Sequence, residues 1–422
     1  MVTPLSHPYS ASHVLYPHEE WYTFRFKALE LVNSRLGTQG PIKVRPIHGG
    51  SFNRVVKVLV DGQARYILRI PRRPETADVE GEVAPLLFLQ RHTPLITPRV
   101  TAYDNTPANV IKNPYMIQEL IPGICLYPAY WAYDTLSGAN RVRIAHDLGV
   151  VFRQLLETGN SMAGRFVFPP RNPAGLNAEV GVVPIRPKYT EPWHLHSPRG
   201  AKPFEPTGFR QSVADFMRGM LQTRLDNARK CWPRYFQTHA VLERLIAIVT
   251  QMETLGYLKD VKYSLYHWDI AGRNIIFNPD AAENESSLGM IDWDDCVFMP
   301  SFMLCRPPTW IWMLRYQRFR GHQPVHEIKV SGPAHDALCN KLKEEFHSAA
   351  GPEYKKYAEH PVYEMARKIC HYAAQGTKHK KDERGETAME LERRWKRVVT
   401  YHIEPLLQKR ARDAAKIKNN PK

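Results

Sequence analysis

The chain has 422 residues, 43% of them hydrophobic and 24% charged, with a formal net charge of +16. That length predicts two or three lobes with a sizeable core, and the composition excludes a disordered or collagen-like polypeptide. No run of ~18 apolar residues exists, so no membrane span is expected, and the basic balance favours anionic partners: nucleotide, phosphate, nucleic acid or an anionic membrane surface.

In chain order, Met1 to Tyr16 lacks a continuous apolar core and has no Arg, so neither a signal nor a transit peptide is expected, and the cytoplasm is the expected location. Residues 18–36 place Phe24, Leu29, Leu31, Val32 and Leu36 near helical spacing, and Gly37 and Gly40 stop the helix. Val56, Val58 and Val60 then alternate with polar residues before Asp61-Gly62, and Tyr66, Leu68 and Ile70 follow. Asp-Gly between two alternating runs predicts a hairpin, because its turn needs positive φ at both central residues. Residues 76–91 read as a helix capped by Thr76, with Asp78 in its first turn and Val79, Val83, Leu86 and Leu87 on one face. Pro85 should kink or restart it, since proline removes a backbone donor.

Strands are expected at 98–103 and 114–120, and Pro122-Gly123 breaks the chain where two lobes would meet. Beyond it, residues 139–157 are helical through Val142, Ala145, Leu148, Gly149, Phe152 and Leu155. The Pro- and Gly-rich stretch 165–207 reads as an ordered loop, and helices are expected at 208–228, 239–255, 335–349 and 361–374. Residues 386–412 form an amphipathic segment through Leu391, Trp395, Val398, Ile403 and Leu406, expected to pack on the core. Six dispersed cysteines, none in a C-x-x-C pair, fit reduced thiols.

The chemistry-bearing pattern is His267-Trp268-Asp269-Ile270-Ala271-Gly272-Arg273-Asn274, followed by Ile275, Ile276 and Phe277, and then Met290-Ile291-Asp292-Trp293-Asp294-Asp295. This is H-x-D-x-x-x-x-N, a short hairpin, and an apolar-Asp step. Phosphoryl transfer needs a carboxylate to orient an acceptor hydroxyl and take its proton. It also needs hard oxygen donors for Mg²⁺. Asp269 suits the first role, and Asn274 and Asp292 suit the second. His267 is read beside Asp269 in the catalytic loop, more as a brace than as a base. Asp294 is the least certain member and is read as a support of the metal loop.

These residues resemble the aminoglycoside phosphotransferase family, which is itself similar to choline kinases and more distantly to protein kinases. The resemblance implies an α+β, bilobal, protein kinase-like fold with a β-rich N-lobe and a mainly helical C-lobe. It divides the chain into a helical arm (1–40), a nucleotide-binding N-lobe (41–123) and a C-lobe (124–422). The C-lobe would hold the catalytic loop (263–295), an acceptor region (160–260) and a basic tail (378–422). That tail carries fourteen Lys or Arg against seven Asp or Glu.

The resemblance also implies ATP and Mg²⁺ as cofactors and a small hydroxyl-bearing acceptor. Gly50, Ser51, Phe52 and Asn53 would cover the nucleotide, and backbone groups near Glu119 and Ile121 would meet adenine. Arg69 stands where the family carries a phosphate-binding Lys, with Glu82 as its expected partner. Trp268 replaces the family's usual small residue. The Asp-Phe-Gly of protein kinases is absent, which favours a small-molecule kinase. The alternatives are a catalytically inactive nucleotide-binding protein, which Arg69 would support, and a protein kinase. His194-Leu195-His196 lacks companion ligands for a metal site. No zinc-protease, serine-hydrolase or P-loop motif occurs.

Overall fold

The computed structural model describes residues 19–47, 52–132, 135–169, 175–185, 211–231, 236–282, 284–294, 296–314, 316–320, 323–375 and 386–409, together with 233 and 412. The His194–His196 pair lies outside these residues, as do 170–174 and 186–207 of the loop expected over 165–207; the described remainder of that loop carries strand residues, in Gly164–Val167 and Gly181–Pro184.

The N-terminal part is a five-stranded antiparallel sheet in the order β1-β2-β3-β5-β4. Its strands are β1 (Ile42–Ile47), β2 (Asn53–Val60), β3 (Gln63–Pro71), β4 (Val100–Asp104) and β5 (Tyr115–Glu119). The β2–β3 turn is the predicted one, with Asp61 and Gly62 at φ 52° and 79°. Alternation puts Val56, Val58, Leu68 and Ile70 on one face, where they meet Phe24, Ala28, Leu31 and Val32 of α1 (Trp21–Leu36). Burying each large apolar side chain contributes about 1.5–3 kcal/mol. Of the segment expected as an N-terminal helical arm, the described helix Trp21–Leu36 packs on the N-lobe sheet.

Helix α2 (Val79–His92) packs on the opposite side. Its N-cap is Asp78, whose carboxylate accepts from the Gly81 N–H, rather than Thr76. The kink expected at Pro85 is absent: the helix is continuous and the proline ring is buried among Val79, Val83, Leu86 and Leu87. Packing on the larger core offsets the lost backbone bond.

At Gly123 the chain crosses into the C-lobe with φ 130°, and a Cβ there would sit 2.4 Å from the Phe277 carbonyl oxygen. Glycine is required by both the conformation and the approach. Strand β6 (Ile124–Cys125) then joins β11 (Ile275–Phe277) and β12 (Leu288–Met290) in a three-stranded sheet. A second five-stranded sheet has the order β7-β10-β13-β8-β9, from β7 (Gly159–Asn160), β8 (Gly164–Val167), β9 (Gly181–Pro184), β10 (Tyr263–Tyr266) and β13 (Val297–Pro300). Around these pack α3 (Gly138–Glu157), α4 (Val213–Cys231), α5 (Phe236–Thr254), α6 (Pro333–Glu359), α7 (Pro361–Gln375) and α8 (Glu386–Val398). In the last segment Leu391, Trp395 and Ile403 are buried as expected, whereas Leu406 is exposed. Among the described residues no helix is long and apolar enough to cross a membrane.

Helices α3 and α6 touch closely at Gly149, where a Cβ would lie 2.5 Å from the Phe346 carbonyl oxygen and 2.8 Å from the Ala349 Cβ. Alanine normally stabilises a helix interior relative to glycine. Here a rigid backbone atom blocks it, so Gly149→Ala should lower the unfolding free energy by about 1–3 kcal/mol. An unchanged or higher midpoint in urea denaturation would contradict this contact.

Candidate active site

Strand β10 runs into His267, and the loop 267–271 turns through Gly272–Asn274 into β11. Strand β12 returns antiparallel with Ile275 opposite Met290. Asn274 precedes one partner and Asp292 follows the other by two residues, so both emerge at the same end of the hairpin. The Ile291 N–H to Asn274 carbonyl bond, 3.0 Å, continues the ladder there. Asp269 joins them: the Asn274 Nδ2 donates to its carboxylate Oδ2 at 2.8 Å and to its carbonyl at 3.0 Å. Asp269 and Asn274 are thus in contact, and Asp292 leaves the same end of the hairpin toward Arg69.

Asp292 takes φ 70°, a left-handed conformation that Asp tolerates better than most residues. Trp293 points the other way, fully buried, with its Nε1–H donating to the Met290 carbonyl at 2.9 Å. That anchor leaves the residues on either side, Asp292 and Asp294, free to face the N-lobe.

His267 ties the two motifs together. Its Nδ1 accepts the Asp269 N–H at 3.0 Å, so this nitrogen carries no proton. Its Nε2–H must then donate to the Ile291 carbonyl at 3.1 Å. With both nitrogens engaged by backbone, the buried ring is a brace for the loops and not a proton-transfer group. Burial holds its pKa below the ordinary 6.5, against the opposing pull of the Ile291 carbonyl and Asp269. A depressed folded value means a stabilising contribution that is complete above the unfolded value and lost as pH falls through the folded one. Wild-type stability should therefore drop between pH 7.5 and 5.5 more steeply than that of His267→Gln, and parallel urea curves at both pH values would refute it.

Across the cleft, Arg69 on β3 is 9% exposed and faces three carboxylates. The expected partner Glu82 lies 3.8 Å from its Nη2. The stronger partner is Asp294, held bidentately at 3.0 and 2.5 Å. Asp292 is 3.8 Å away and half exposed. Although burial opposes its charge, Arg69 is held firmly protonated by Asp294 and then Glu82. The Glu82 carboxyl is pushed up by burial and by Asp294, with Arg69 opposing. Among the described residues no cluster of three or more His, Cys, Asp or Glu side chains could hold a metal ion. Asn274 and Asp292 offer only hard oxygen donors, a set that fits Mg²⁺.

The remaining expected residues divide. Gly50 and Ser51 lie outside the described residues. Phe52 is 85% exposed, and Asn53 is buried at the start of β2. Arg54 turns away from the cleft to the Glu19 carbonyl at 2.8 Å and to the face of Phe24. In the hinge, the Glu119 N–H is already donated to the Arg99 carbonyl and the Leu120 N–H to the Arg65 carbonyl. Ile121 packs over Gly289, beneath the N-lobe. Of the acceptor region 160–260, residues 170–174 and 186–210 lie outside the described residues, and α4 packs behind α7 through an Arg224 bond to the Tyr372 carbonyl.

The groups beside the catalytic loop come instead from elsewhere. Arg273 forms an ion pair with Asp269 at 2.5 Å, and its place next to Asn274 is the one local signal for it. His371 of α7 faces Trp268 with ring centroids 6.3 Å apart, a neighbour that no spacing in the sequence announces.

A model of the phosphotransferase enzyme family matches residues 43–302. Among curated proteins, the chain is 35% identical over 85 residues to altered inheritance of mitochondria protein 9 of Clavispora lusitaniae, which covers 19% of this chain and 14% of that protein. The counterpart from Lodderomyces elongisporus is 29% identical over 119 residues, 26% of this chain and 19% of that protein. Among solved structures, the macrolide 2'-phosphotransferase MphH of Brachybacterium faecium aligns with TM-score 0.43 and 15% identity, covering 87% of this chain and 98% of that one. The ADP-bound aminoglycoside phosphotransferase APH(2'')-Ib aligns with TM-score 0.43 and 12% identity, covering 86% and 96%.

Proposed function

Because the chain belongs to the phosphotransferase enzyme family, we propose that it transfers the γ-phosphoryl group of ATP to a hydroxyl of a small molecule. The observation that carries this reading is the convergence of Asp269, Asn274 and Asp292 at one end of the β11–β12 hairpin, opposite Arg69.

In this reading Asp269 orients the acceptor hydroxyl and takes its proton. The acceptor oxygen bonds to the γ-phosphorus, the bond to the β–γ bridging oxygen breaks, and ADP leaves with that electron pair. Asn274 and Asp292 would hold Mg²⁺, which would supply charge neutralisation at the phosphates. Arg69 holds Asp294 in place and presents its remaining N–H groups to phosphate oxygens. Of the loop 49–54, expected to cover the nucleotide, residues 49–51 lie outside the described residues. With the Glu119 and Leu120 N–H groups already engaged, the adenine edge is left to the Glu119 carbonyl and the Ile121 backbone. The cytoplasm remains the proposed location, to be checked against the mitochondrial label in the relatives' names by fractionating cells that express the tagged chain.

The test is ADP formation by the full chain with ATP, Mg²⁺ and a panel of hydroxyl-bearing acceptors. Turnover that needs both Mg²⁺ and an acceptor is expected. Nucleotide binding without turnover across the panel would favour the catalytically silent reading, whose structural support is the commitment of Arg69 to Asp294.

A further inference from the structure

Strand register shows which side chains of the N-lobe sheet look into the cleft. Residues directly opposite each other in an antiparallel pair share a face. Arg69 lies opposite Met116, and Ile67 lies opposite Gln118. Arg69 reaches Asp294 and Asp292 across the cleft, so Gln118 stands on that same face. Tyr115 and Ile117, which alternate with Met116 and Gln118 along β5, pack toward α1 on the other face. Gln118 is two residues nearer the hinge than the level of Arg69, about 7 Å along the strand. With Arg69 and Asp292 at the phosphate end of the cleft, Gln118 lies toward the base end. Glu119 follows it directly, and Ile121 packs over Gly289 of β12.

Gln118 is 6% exposed, and its side-chain Oε1 is buried with no hydrogen-bond partner. Buried polar atoms nearly always have a partner, so one without calls for a reason. Packing supplies none, because the neighbouring positions on this face, Ile67 and Met116, are buried apolar residues.

The backbone sets the kind of partner that fits. The Glu119 and Leu120 N–H groups already donate to the Arg99 and Arg65 carbonyls. The end of β5 therefore offers a base two acceptors, the Glu119 carbonyl and the Gln118 Oε1. An exocyclic amine has two hydrogens and answers both. A 6-oxo purine brings a third acceptor to the same place. The Gln118 amide meets it only by turning about its last torsion, and the Glu119 carbonyl, fixed in the strand, cannot turn.

We propose that Gln118 reads the nucleobase and selects a 6-amino purine over a 6-oxo purine, its Oε1 and the Glu119 carbonyl sharing the two amine hydrogens; this rests on the phosphotransferase reading and names the nucleotide class of that site. The test is calorimetric titration of the full chain, in Mg²⁺, with ADP, IDP and GDP, which share a diphosphate and have no γ-phosphoryl group to lose. ADP is expected to bind about tenfold tighter than IDP or GDP. Gln118→Met keeps the length of the side chain and removes the amide. It should weaken ADP about tenfold, leave IDP within about twofold, and so abolish the preference. Circular dichroism checks that the variant is folded, and the wild-type comparison of ADP with IDP does not depend on it. IDP or GDP binding as tightly as ADP, or a preference for ADP that survives in folded Gln118→Met, would overturn the inference with the phosphotransferase reading intact. Failure of all three diphosphates to bind would remove both.

Discussion

Asp269→Asn should lower the rate of ADP formation by about a thousandfold, within the range that a positioned general base contributes. The amide keeps the size of the carboxylate, and its oxygen can still accept from the Asn274 Nδ2, which now binds Oδ2 at 2.8 Å. What it loses is the capacity to take the hydroxyl proton, together with the ion pair that Arg273 makes at Oδ1. Nucleotide affinity should stay within about twofold, because the residue contributes to the transition state and not to ground-state binding. The backbone bond from the Asp269 N–H to His267 survives the substitution, so the loop should keep its shape. Asp269→Ala should stop turnover as well, but it also removes the acceptor of the Asn274 Nδ2 and is the less clean variant. Turnover near the wild-type level in either variant would remove the base assignment. A rate loss accompanied by an equal loss of nucleotide affinity would instead indicate a collapsed loop.

The largest effect on stability is expected at Arg69. Arg69→Met keeps much of the side-chain volume but leaves Glu82, Asp292 and Asp294 facing one another with no guanidinium between them. Breaking a buried ion pair from one side costs about 3–5 kcal/mol, because the remaining charge is left uncompensated. Arg69→Lys should recover part of that loss, since it restores charge but not the two-pronged fit to Asp294. The pH dependence follows from Glu82. Its folded pKa is raised above the ordinary 4.5, first by burial and then by Asp294. Folding therefore takes up a proton, and stability falls as pH rises from about 4.5 through the raised value. Arg69→Met removes the charge that opposes this shift and should steepen the fall, whereas Glu82→Gln should flatten it. Urea denaturation across that pH range measures both. An Arg69→Met protein as stable as wild type, with an unchanged profile, would show that the cross-lobe cluster does not hold the two halves together.

The Arg69–Asp294 pair also bears on why the site contains an arginine where the resemblance leads one to expect lysine. A guanidinium can hold both oxygens of Asp294 and still direct further N–H groups elsewhere, while an ammonium group acts as a point charge. The residue read as the least certain member of the motif is thus the strongest tie between the lobes.

What the sequence determined by itself was local. The Asp61-Gly62 turn, the β11–β12 hairpin, the break at Gly123 and the joint exit of Asn274 and Asp292 each depend on residues close together in the chain, whose turn preferences and alternation act wherever the chain packs. Only the tertiary structure decided the pairings across long separations. Helix α1 became part of the N-lobe because its Phe24, Leu31 and Val32 met the apolar face of the sheet. Arg69 took Asp294 over Glu82 because Trp293, anchored in the C-lobe, sets the direction of its neighbour. His371 reached Trp268 through the packing of α7, and no periodicity encodes the distance between elements that meet only once the core has closed.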